Sequence, residues 1–194
     1  EDYFQLEGLA YRLVPIKTKN QDQNTIGRVN TEKMYELLVN KYTYGRMNEP
    51  DVYMDENNKR IMSIIGIRNS FARLADELLK EGKIDSAVTV LDKSFEVMPY
   101  EKLPYDHKII PLIRAYYIAE EYEKANNLTE MLANRYFDEM EYYNSLSGKF
   151  ANLVSREKSV ADQVFKILQN LCDIFKQAEM KAKLEKRYIE IAGN

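Results

Sequence analysis

The chain has one histidine, His107, and one cysteine, Cys172, the side chains that most readily act as base, nucleophile or metal ligand near neutral pH. They stand 65 positions apart with nothing in the sequence to link them as a catalytic pair. Cys172 lies in the apolar run VFKILQNLCDIF, where a lone thiol reads as a small core residue. A single cysteine also excludes an intramolecular disulfide and a cysteine-based metal site. The stretch DVYMDENN gathers Asp51, Asp55, Glu56, Asn57 and Asn58 and raises the question of a calcium site. It lacks the alternating oxygen ligands and central glycine of an EF-hand loop. Asp55 is better read as the cap of the helix that follows. Carboxylate pairs such as Glu120 and Glu121 are numerous, but nothing separates their environments as acid–base work requires. The seven glycines are scattered, so no phosphate-cradling loop exists. No catalytic residue, no metal and no cofactor are expected, and the chain reads as a non-enzyme.

The elements that would carry any binding function are helices. With 194 residues, 45% hydrophobic and 30% charged, the composition is that of a globular protein long enough to form a core without staples. The net charge of −3 comes from interspersed acids and bases, which argues against nucleic acid as a partner. No segment approaches 18 consecutive apolar residues, so no direct membrane insertion is expected. The absence of an initiator methionine at Glu1 suggests a piece of a longer protein.

Residues 1–29 differ from the rest. LAYRLVPIK predicts a short strand or extended arm over Leu9 to Val14, and the polar KTKNQDQNTIGRVN predicts a loop. Asn30 or Thr31 caps a helix through MYELLVNKY. From Asn57 to Glu81, Ile61, Ile64, Ile65, Phe71, Leu74, Ala75 and Leu78 keep a helical period, with Gly66 marking a bend or a close contact. Gly82 ends that helix and Pro99 follows the next. A helix from about Asp106 to Ala119 carries Pro111, which is expected to bend it. The expectation is an all-α chain of about seven or eight helices behind a short strand-like N-terminal segment. Residues 1–55 form that segment packed on the repeats, and 56–194 form the helical domain.

Tetratricopeptide repeats are 34-residue helix–turn–helix units built on set small and large packing positions. With Arg68 at position 1, Phe71, Leu74, Ala75, Leu78, Gly82, Ala87, Leu91 and Pro99 fall on eight of them. Small Ala75 and Ala87 let the two helix backbones approach, and Phe71 and Leu91 fill the space beside them. A second unit starts at Asp106, with Ile109, Leu112, Ile113, Tyr116, Tyr122 and Ala125, but Glu120 replaces the turn glycine. The offset from Ala87 to Ala125 is 38, which places an insertion in the YEKLP linker. A third pair from about Ser159 misses the consensus, and its basic last helix reads as a cap on the stack. A helical hairpin of an ordinary bundle is the plainer alternative.

In tetratricopeptide stacks the first helix of each unit lines the concave face. This register places Asn69, Arg73, Asp76 and Lys80 there from unit one, and His107, Arg114 and Tyr117 from unit two. Ala72 and Asp76 occupy two places of the carboxylate clamp that reads acidic C-terminal peptides, so a chaperone-type clamp is not expected. The sequence holds fifteen tyrosines, seven phenylalanines and no tryptophan. The cluster of Tyr116, Tyr117, Tyr122, Tyr136, Tyr142 and Tyr143 reads as packing between repeats, with a ligand groove as the alternative.

EDYFQLEGLAYRLVP, MYELLVNKY, DVYMDENN and RNSFARLADELLKEGKIDSAVTVLDKSFEVMP together resemble the C-terminal region of a bacterial family of large multi-pass membrane proteins. That family was long labelled as of unknown function and is similar to GT-C-type protein O-mannosyltransferases. The resemblance implies a parent protein whose membrane spans and sugar-transfer residues precede Glu1, and a tail on the periplasmic side of the inner membrane. The expected function is therefore a non-catalytic protein–protein interaction domain that holds acceptor polypeptide or organises a complex. Its expected partners are a polypeptide and the membrane-embedded part of the parent. A freestanding repeat scaffold is the alternative, and an independent hydrolase the third.

Overall fold

The computed structural model describes residues 3–17, 26–59 and 66–192. Helix makes up 67% of the protein, preceded by a small three-stranded sheet, in keeping with an all-α chain of helical hairpins behind a short strand segment. The chain divides into two compact units, Glu1–Ala119 and Glu120–Asn194.

The first unit opens with β1 (Phe4–Glu7) and β2 (Ala10–Leu13), an antiparallel hairpin, and β3 (Arg28–Val29), which runs parallel to β1. The sheet order is β2-β1-β3. The sequence predicts the second strand alone. Gly27 explains how β3 reaches β1: at φ +67° a Cβ there would run into the Phe4 carbonyl, so the close approach requires glycine. Helix α1 (Thr31–Tyr35) is capped by Asn30, whose side chain accepts from the Lys33 N–H at 3.0 Å, and continues as a π-helical stretch, Glu36–Lys41. Met34 and Leu38 of this helix are fully buried.

Helix α2 (Ile67–Lys80) and α3 (Ile84–Val97) form the first hairpin. Gly66, expected to mark a bend or a close contact, stands at a helix start: it adopts φ 75°, in the left-handed region, and α2 begins after it. Ile61, Ile64 and Ile65 lie outside the described residues. Phe71, Ala75, Ala87 and Leu91 are all fully buried, as the small-and-large packing pattern requires. A 3-10 turn, His107–Ile109, leads into α4 (Ile110–Ile118). Pro111 occupies the first turn of α4, where its missing N–H has no carbonyl to lose. It stands just past the junction of the 3-10 turn with α4, at the start of the helix and not within it as expected.

The second unit comprises α5 (Tyr122–Ser145), the short α6 (Lys149–Leu153), α7 (Ser155–Ile174) and α8 (Ala178–Ala192). Leu132, Ala161 and Leu168 are fully buried in its core, with Cys172 beside them at 1% exposure. The Phe165 and Tyr188 rings stack at 4.1 Å, and the Tyr188 hydroxyl donates to Asp162 at 3.0 Å.

Three turns between successive helices share one backbone. Gly82, Glu120 and Lys176 each stand two residues beyond a helix end, at φ 75°, 62° and 57°, with a single residue before the next helix begins. After two of them the following N–H closes back on the helix it leaves, Lys83 to the Leu78 carbonyl at 2.9 Å and Gln177 to Cys172 at 2.7 Å. The repeat signal that fades in the sequence therefore persists in the main chain.

Candidate functional site

The outer side of α2 and α4 carries a network of charges. Asp76 accepts from the Arg114 guanidinium at 2.8 Å and pairs with Lys80 at 3.1 Å, while Lys80 also reaches Glu77 at 3.2 Å. Asp76 and Arg114 hold the same position, the ninth, in their respective repeats and stand 38 residues apart. Their contact is what side-by-side stacking of the two first helices requires. About half of each of the Arg114 and Lys80 side chains remains exposed. Asn69 is exposed about two turns before Asp76, and His107 is exposed on the 3-10 turn that introduces α4.

Two of the residues assigned to this face do not serve it as expected. Tyr117 is buried, with 1% of its surface accessible, so it belongs to the core and lines no groove. The cause is the composition of α4: Leu112, Ile113, Ala115, Tyr116 and Tyr117 are all buried, which leaves only a narrow strip through Pro111, Arg114 and Ile118. Arg73 is committed to the N-terminal sheet. Its guanidinium donates to the Tyr11 hydroxyl at 2.6 Å, the Ile26 carbonyl at 3.0 Å and the Gly27 carbonyl at 3.1 Å. The N-terminal segment is also held to the C-terminal end of α2 by Thr31, whose hydroxyl donates to Glu81 at 3.0 Å.

Arg68 is the residue whose role the sequence concealed. It is 6% exposed, and its guanidinium donates to the carbonyls of Leu103 at 2.6 Å and Met98 at 2.9 Å, with Pro104 at 3.5 Å. It also lies 4.9 Å from the Tyr105 ring centre. These carbonyls belong to the inserted linker after α3, so Arg68 fixes the segment that stretches the repeat spacing. Burial of the Tyr105 ring pushes its hydroxyl pKa up, against the pull of the Arg68 charge.

The second unit has its own surface grooves. One of about 500 Å³ and one of about 250 Å³ share Lys183, the first reaching Asn126 of α5 and the second Glu130 and Asn134. Lys183 pairs with Glu130 at 2.6 Å and Arg187 with Glu141 at 2.6 Å, so the cations along α8 are matched by acids of α5. Asn126, Glu130 and Asn134 follow each other at four-residue spacing, a signal present in the sequence but not read from it. Comparison with protein-family models, curated proteins and solved structures gave no match. Among the described residues no group of three or more His, Cys, Asp or Glu side chains could hold a metal ion, and no helix is long and apolar enough to cross a membrane.

Proposed function

We propose that this chain is a non-catalytic helical-repeat domain of the tetratricopeptide type that holds an extended polypeptide against the α2–α4 face. The observation that carries the reading is the Asp76–Arg114 contact between equivalent positions of successive repeats. It aligns two first helices and sets a row of exposed amide, carboxylate and guanidinium groups along one side. Arg114, Lys80 and Asn69 supply donors, and Asp76 and Glu77 hold the two cations in place. Such a row suits the alternating donors and acceptors of a peptide main chain.

The wider setting we propose is the periplasmic tail of a membrane protein similar to the GT-C protein O-mannosyltransferases. Its support is the sequence resemblance of residues 2–15 and 51–99. In that setting the tail raises the local concentration of acceptor polypeptide near the transferring part. Sequencing the parent gene upstream of Glu1 tests it: several apolar spans of about 20 residues each agree with it. A start codon or a simple signal peptide immediately upstream removes it and leaves a freestanding scaffold.

The binding claim is tested by anisotropy titration of fluorescein-labelled 15-residue peptides drawn from an unbiased array. Lys80→Ala combined with Arg114→Ala is expected to lower affinity about tenfold. Exposed ion pairs contribute little to folding, so the thermal midpoint should hardly move. Unchanged affinity in the double variant would remove the α2–α4 assignment.

A further inference from the structure

β2 is an edge strand of the small sheet. Among the described residues no strand pairs with its outer edge, since β2 stands at the end of the sheet order. Which of its main-chain groups face outward follows from one bond. The Val14 N–H donates to the Tyr3 carbonyl at 2.8 Å. Opposed residues in an antiparallel pair alternate between bonded and non-bonded, and the register is Phe4↔Leu13, Gln5↔Arg12, Leu6↔Tyr11 and Glu7↔Ala10. Val14, Arg12 and Ala10 therefore bond to β1, and the N–H and C=O of Tyr11 and Leu13 point away from the sheet.

The side chains at this edge have an equally definite pattern. Tyr11 and Leu13 share a face with Phe4 and Leu6 of β1. Leu6 is covered, but Tyr11, whose hydroxyl accepts from Arg73, is 45% and Leu13 72% exposed, so the apolar face continues, only partly covered, to the last strand. Ile16, at 60% exposure, follows on the same arm. The opposite face carries a row across all three strands, Arg12, Gln5 and Arg28, in direct register. Gln5 is occupied by the Arg28 side chain, which donates to it at 2.5 Å, and Glu7 lies 3.3 Å from Arg12. Two cations against one carboxylate leave this face positive, and Arg12 is the member nearest the open edge, with two thirds of its side chain exposed.

We propose that the β2 edge is a strand-addition site for an extended polypeptide segment of alternating apolar and acidic residues. The outward groups of Tyr11 and Leu13, which no described strand pairs, call for a β-strand as occupant. Cross-strand pairing then sets its sequence: apolar residues beside Tyr11 and Leu13, and a carboxylate beside Arg12 between them. The inference rests on the β2 edge alone and stands without the reading of the α2–α4 face.

The probe is the pentapeptide acetyl-Val-Glu-Val-Glu-Val-amide, added to the whole chain and followed by amide hydrogen exchange in NMR spectra. Binding should slow exchange of the Tyr11 and Leu13 amides at least about tenfold and leave the Arg12 and Val14 amides, already bonded, as they were. Arg12→Glu should weaken this peptide and admit acetyl-Val-Lys-Val-Lys-Val-amide in its place. Leu13→Pro removes an outward donor without touching the β1 ladder and should abolish binding. If that variant misfolds, the exchange pattern of the unaltered chain still decides. No binding at millimolar peptide, or binding without protection of Tyr11 and Leu13, overturns the proposal. Protection of the same two amides on raising the chain's own concentration without peptide also overturns it, by giving the edge to a second copy.

Discussion

Replacing Arg68 by alanine should be among the most damaging single changes available in the first unit. The side chain is 94% buried and places its charge on the carbonyls of Met98 and Leu103 at 2.9 and 2.6 Å, with Pro104 at the outer limit of hydrogen bonding. A hydrogen bond from a charged donor contributes about 1.5–3 kcal/mol, and the deserted carbonyls face desolvation without a partner. Two such bonds and the lost contact with the Tyr105 ring give an expected loss of about 3–5 kcal/mol, a large share of an ordinary domain's stability. Because the chain has two compact units, the loss should be read locally. Native-state hydrogen exchange of the core amides of α2 and α3 provides this, as the drop in their opening free energy. Arg68→Lys should recover little, because a single ammonium cannot reproduce the planar fork that spans separate carbonyls. A drop below about 1 kcal/mol in Arg68→Ala would refute the assignment of Arg68 as the clamp of the inserted linker.

The shared turn backbone makes Glu120→Gly and Lys176→Gly stabilising, each by about 0.5–1 kcal/mol, since both side chains sit at positive φ where glycine carries no steric cost. A fall in thermal midpoint for both would contradict that conformation. Glu36 is held by hydrogen bonds from Lys33 at 2.7 Å and Lys41 at 2.5 Å, which bring its pKa down from 4.5 to about 2. Its folded value lies below its unfolded one, so its contribution is present above about pH 4.5 and is lost as the pH falls through about 2. A carboxyl NMR titration should give that low midpoint, whereas a midpoint near 4.5 would show the two lysines are not engaged.

What the sequence disclosed and what it hid divide by range. The α2–α3 hairpin was legible because its signals are local: an apolar period, a glycine two residues past a helix end, and a proline after the second helix. The cap at Asn30 is local too, its side chain accepting from the N–H three residues on. The β1–β3 pairing was hidden, since it joins residues more than twenty apart through a strand of only two residues. The commitment of Arg73 to Tyr11, 62 positions away, leaves no trace in either neighbourhood. Tyr117 was misplaced because a family register assigns faces by position alone. In α4, apolar residues run almost all round, and the exposed strip is too narrow to include it. Arg68 enters the sequence reading only as position 1 of the first unit, and only the fold of the distant linker over it explains its burial.

The most direct test of polypeptide binding by the α2–α4 face is NMR shift mapping with a 15-residue peptide selected from the unbiased array. Saturating peptide should shift the signals of Asn69, Asp76, Lys80 and Arg114 together, with the amides of α7 and α8 undisturbed. Shifts confined to the second unit, or none in the face of a measurable affinity, would contradict the account.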